Sequence, residues 1–87
     1  MKRIEIEDFI RDYLKDKLDS LQIDARELTR NFDFVQSGLL DSMAFVDMVS
    51  AMENYFNVEI DFENEVDNSG FTSMRGVSEI FLKADEK

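Results

Sequence analysis

From Ser42 to Phe56 the chain holds neither glycine nor proline, and Phe45, Met48, Val49, Met52, Tyr55 and Phe56 recur at steps of three and four. That spacing lines them up on one stripe of a helix of about 3.6 residues per turn, so the segment predicts a helix whose inner face needs covering. Two further segments supply the cover. From about Ile4 to Leu18, Ile6, Phe9, Ile10, Tyr13, Leu14, Lys17 and Leu18 follow the same spacing with charged residues between them. Near the other end, Thr72 or Ser73 caps a helix in which Met74, Val77, Ile80, Phe81 and Ala84 recur, with Gly76 a weak point.

A short acidic run from Asp61 to about Val66 adds one or two helical turns before Asp67-Asn68-Ser69-Gly70 breaks it. The expected fold is therefore all-α, a four-helix bundle of three main helices and one short one. Between the first two main helices lies a long loop, Asp19 to Asp41, with scattered apolar residues and one short turn that Asp24 and Glu27 can cap. A connection of this length suits a crossover from one end of a helix to the other. The chain, residues 1–87, reads as one domain whose fold buries about 60–70% of the surface its unfolded form exposes.

The residues that are missing narrow the chemistry. With no cysteine there is no disulfide and no thiolate metal site, and with no histidine the commonest metal ligand and general base is absent. The opening residues lack an apolar leader core, and no stretch approaches the roughly 18 apolar residues of a membrane span. The expectation is a cytoplasmic protein, neither an enzyme nor a metal protein. Twenty acids against ten bases give a net charge of −10, which repels nucleic acid and anionic lipid. Between Arg30 and Arg75 there is no Lys or Arg at all, so the middle of the chain carries one sign. Such a face either keeps the protein soluble or docks basic partners.

Gly38-Leu39-Leu40-Asp41-Ser42 stands directly before the central helix, which puts Ser42 in its first turn among unpaired backbone N–H groups. An anion joined to Ser42 is favoured there, although Asp and Ser are also the residues that cap helices everywhere. Met43 and Val46 lie off the inward stripe, one turn apart, with Asp47, Ser50, Glu53 and Asn54 beside them. They are either anchors for a partner or residues of a helix surrounded by core. A catalytic role for Ser42 lacks its base: there is no histidine, no Gly-x-Ser-x-Gly turn, and no lysine between Lys17 and Lys83.

Gly38-Leu39-Leu40-Asp41-Ser42-Met43, then Val46-Asp47-Met48-Val49 and Met52-Glu53-Asn54-Tyr55-Phe56, resembles the acyl carrier protein family over nearly the whole chain. The resemblance implies that Ser42, preceded by Asp41, receives a 4'-phosphopantetheine arm from coenzyme A through a phosphopantetheinyl transferase. The arm's thiol would then carry an acyl group as a thioester, supplying the sulfur the sequence lacks. It further implies that Met43, Val46, Asp47 and Glu53 meet basic docking surfaces on a loading ligase and on acyl-processing enzymes, with Ile60 shielding one end of the arm's site, in a monomer. The Gly38-Leu39-Leu40 run and the Met52 to Phe56 segment look closer to stand-alone D-alanyl and aminoacyl carriers than to fatty-acid carriers, and Glu65 to Phe71 looks longer than in the latter. Fatty-acid, polyketide or a specialised pathway all remain open at this point.

Two other classes compete. Glu65, Asp67, Ser69 and Gly70 imitate half of a calcium loop, but its twelfth position is Gly76 where a carboxylate is required. A plain acidic interaction protein predicts no modification of Ser42. Met48, Met52 and Met74 suit a pliable acyl pocket or an ordinary core.

Overall fold

The computed structural model describes residues 1–61 and 71–86. Among them the chain is all-helical: α1 (Arg3–Tyr13), α2 (Lys15–Ser20), a 3-10 turn (Ala25–Glu27), α3 (Ser42–Phe56) and α4 (Met74–Asp85). α1 lies against both α3 and α4, and the core gathers where their stripes meet. The expected short helix from Asp61 to Val66, the turn after it and the calcium-like run fall almost wholly outside the described residues.

The first expected helix is divided. Its deeply buried residues are Ile6, Ile10, Leu14 and Leu18, spaced strictly by four. On a straight helix each step of four rotates the side chain by about 40° past a full turn, so Leu18 would point about 120° away from Ile6. The turn at Leu14 (φ −92°, ψ 1°) between α1 and α2 lets all four face the core, each at most 2% exposed. The residues one step earlier in each turn follow outward, leaving Phe9 half-buried and Tyr13 and Lys17 exposed.

A second departure concerns Tyr55, which the spacing of α3 places on the inner stripe. It is 70% exposed and rests on the outside of Phe9, ring centres 4.8 Å apart, because Phe9 and Phe56 already fill that end of the interface. Phe45, Met48, Val49 and Met52 do face inward. Met48, Met52 and Met74 are each fully buried within the core.

The long loop is tied down throughout. α2 ends on Gln22 in the left-handed region (φ 58°), with Ile23 N–H donating to the Leu18 carbonyl at 2.9 Å and Gln22 N–H to that of Asp19 at 3.2 Å. This paired arrangement closes helix ends and folds the next apolar residue back onto the last turn. Asp24 and Glu27 cap the 3-10 turn as expected, through Arg26 N–H to Asp24 at 2.8 Å and Asp24 N–H to Glu27 at 3.1 Å. The Arg26 side chain also donates to the Asp24 carboxylate, which holds that group down at about 2. Arg11 of α1 donates to the Leu28 carbonyl at 3.1 Å, and Leu28 and Phe34 are fully buried. Beyond them the loop meets the start of α4: Phe34 N–H donates to Thr72, Met74 N–H to Phe32 and Arg75 N–H to Arg30, each at 2.9 Å.

Among the described residues no helix is long and apolar enough to cross a membrane, and no three acidic side chains gather into a metal-binding group.

Candidate attachment site at the start of the third helix

The approach to α3 is fixed by two buried leucines. Leu39 and Leu40 are 5% and 4% exposed, and Leu40 N–H donates to the Phe34 carbonyl at 2.8 Å. The chain enters this pair through Gly38, whose φ of +86° lies where side-chain-bearing residues are strained. Asp41 then takes the capping position, with its side chain accepting from Ala44 N–H at 2.7 Å and its carbonyl from Phe45 N–H at 2.9 Å. Since Asp41 caps the helix, Ser42 is left as the first helical residue with its hydroxyl free. The residue is exposed, and its side chain makes no hydrogen bond to a described residue. Apart from the cap, the first turn holds no acidic side chain that would repel an attached phosphate.

Downstream on the same helix, Met43 is 73% exposed and Val46 42%, with Asp47 and Ser50 exposed beside them. Glu53 stands apart from this group. It is half-buried, and its Oε2 accepts from Ile60 N–H at 2.8 Å, tying the segment after α3 back to the helix. Ile60 itself is 6% exposed and belongs to the core. An open cleft of about 500 Å³, lined by Ser50, Glu53, Asn54, Asn57, Val58 and Glu59, continues along this half of α3.

One residue that positions the site escaped the sequence reading. Asp33 accepts from Val35 N–H at 3.0 Å, from Gln36 N–H at 2.8 Å and from the Thr72 hydroxyl at 2.8 Å. Burial pushes its carboxyl up, but the hydrogen bonds from Gln36, Thr72 and Val35 outweigh it and hold the group below the usual carboxylate range. Thr72 is thereby engaged, and Ser73 caps α4 by accepting from Gly76 N–H at 2.9 Å. The spacing of Asp33 and Thr72, 39 positions apart, gives no local sign of the pairing.

A family model described as phosphopantetheine attachment site matches residues 8–74. The chain belongs to that family, among the acyl carrier proteins. It is a carrier that bears covalently bound 4'-phosphopantetheine, in a family whose domains carry groups and do not transform them. Such domains work with modifying enzymes, a phosphopantetheinyl transferase among them. Comparison with curated proteins and with solved structures gave no match.

Proposed function

We propose that Ser42 is the residue that receives the arm, and that residues 1–87 act as one cytoplasmic, monomeric acyl carrier delivering thioester-bound intermediates to partner enzymes. The observation that carries this reading is the division of labour at the start of α3. Asp41 spends its carboxylate on Ala44 N–H, so the neighbouring Ser42 hydroxyl is exposed and uncommitted. Attachment breaks the Ser42 O–H bond and forms an O–P bond as the nucleotide part of coenzyme A departs. The resulting phosphodiester would lie over the first turn, where the Ser42 and Met43 N–H groups have no partner within the helix. The arm supplies a thiol that holds the acyl group as a thioester.

Met43, Val46 and Asp47 form the face that partners would meet first. Exposed acid steers association with basic surfaces, while a contact of two apolar side chains stays weak enough for the carrier to leave. Glu53 and Ile60 serve this face indirectly, by fixing the segment that follows α3. Incubation with coenzyme A and a broad-specificity phosphopantetheinyl transferase tests the reading by intact-protein mass. One arm per chain is expected for the wild type and for Ser50→Ala, and none for Ser42→Ala. An arm on Ser42→Ala, or none on the wild type, overturns it.

A further inference from the structure

Of the five methionines in the chain, four are shut away from solvent. Met48, Met52 and Met74 are fully buried, and the Met1 side chain is 4% exposed where its amine pairs with Asp85 at 3.0 Å. Met43 stands in water, 73% exposed. We propose that the Met43 thioether is an oxidation site, where a hydroperoxide converts it to the sulfoxide and so weakens the docking of the carrier on its partner enzymes, the transferase first among them. The inference rests on Ser42 as the attachment residue and on the docking face beside it, and it adds to them a modification site and a means of control.

The chemistry needs access and little else. A thioether sulfur has a free lone pair and no proton to lose, so no neighbouring base has to activate it. That lone pair attacks one oxygen of the hydroperoxide, and the S–O bond forms as the O–O bond breaks. The proton of the attacked oxygen passes to the departing one, which leaves as water or an alcohol. Sulfur gives up two electrons and the peroxide takes them. With no cysteine in the chain, thioethers are its only sulfur before the arm is attached, and Met43 carries the one that solvent reaches freely.

Position decides what the added oxygen changes. Met43 follows Ser42 directly and lies one turn before Val46, with Asp47 exposed beside them. This face offers two exposed apolar side chains, so the sulfoxide turns one of its two apolar anchors into a polar one. A polar group taken from water into an apolar partner pocket without a hydrogen bond lowers affinity, and a contact this small is sensitive to such a loss. The fold does not share the effect, because Met43 is neither in the buried core nor among the residues packed against it. The same oxygen on Met48, Met52 or Met74 would force a polar group into a close-packed interior.

The test uses the whole chain without its arm. After brief treatment with hydrogen peroxide and removal of the excess by catalase, peptide mass mapping should place one oxygen on Met43 before any reaches Met1, Met48, Met52 or Met74. The urea unfolding midpoint should not change. Transfer of the arm from coenzyme A, at carrier concentrations below saturation, should slow on the order of tenfold. Methionine sulfoxide reductases acting on both epimers should restore the rate. In Met43→Leu the ratio of rates before and after peroxide should be close to one, whatever the variant's own rate. Oxygen appearing first on another methionine, a fallen midpoint, transfer at its untreated rate, or a Met43→Leu that slows as much as the wild type overturns the inference and leaves the role of Ser42 intact. An untreated wild type that gains no arm overturns the role of Ser42 and this inference with it.

Discussion

Asp33→Ala offers the sharpest test of how the loop is held, because the carboxylate joins the turn that leads towards α3 to Thr72, two residues before α4. Hydrogen bonds to a charged group contribute about 1.5–3 kcal/mol each when they are formed away from water. The bonds from Val35 and Gln36 are local and water can replace part of them, whereas the Thr72 bond closes a loop of 39 positions. A total loss of about 2–4 kcal/mol follows, a large share of the stability of a domain this small. In urea, with a slope of about 1–2 kcal/mol per molar, the midpoint should fall by about 1–4 M. Thr72→Val removes only the long-range donor and should cost about 1 kcal/mol, and the double variant should lose less than the two single losses added together. The effect has a pH signature. The folded carboxyl lies below its ordinary value of 3.8, so the unfolded chain binds the proton first. The stabilisation is therefore complete above that ordinary value and disappears as pH falls through the lower folded one. The gap between wild type and Asp33→Ala should be full at pH 7 and shrink below about pH 4. A gap that is the same at both pH values, or single losses that simply add, would refute the pin.

Asp41→Ala should cost about 1 kcal/mol through loss of the Ala44 bond while still accepting an arm, which urea unfolding and intact mass together measure. Asp47→Lys should slow arm transfer at low salt with an unchanged unfolding midpoint, and equal transfer rates at low salt would remove Asp47 from the docking face. Glu53→Lys is the poorer probe, since it also strips Ile60 N–H of its acceptor. Phe81→Ala should cost about 3–5 kcal/mol, Phe81 being 1% exposed, whereas Tyr55→Ser should cost under about 1 kcal/mol despite sharing the helical spacing of its neighbours.

The three main helices were legible because their cause is local. Apolar residues repeating every three or four positions report the 3.6-residue turn directly, and Asp24 with Glu27 and Asp41 with Ala44 form their caps within a few residues. The start of α3 was legible for the same reason, as was the run leading into it. What periodicity cannot express is competition for one core position by residues far apart in sequence. It placed Tyr55 inside, because nothing near Tyr55 announces that Phe9 and Phe56 occupy the space. It ran the first helix straight to Leu18, because the rotation that would carry Leu18 away from the core matters only once α3 and α4 define where the core is.

The site divides along the same line. The order of residues alone put Ser42 at a helix start, behind an acidic neighbour and ahead of Met43, Val46 and Asp47, in a chain without histidine or cysteine. Tertiary structure decided which of two capping residues caps α4: Thr72 is drawn to Asp33, so Ser73 does the capping. It also decided that Glu53 is tied to Ile60 while Asp47 stays in water, and that Leu21, Ile23 and Phe32 meet around an open cleft. Local propensity is fixed by backbone geometry a few bonds away, whereas exposure and hydrogen-bond partnership depend on which distant surfaces share the interior.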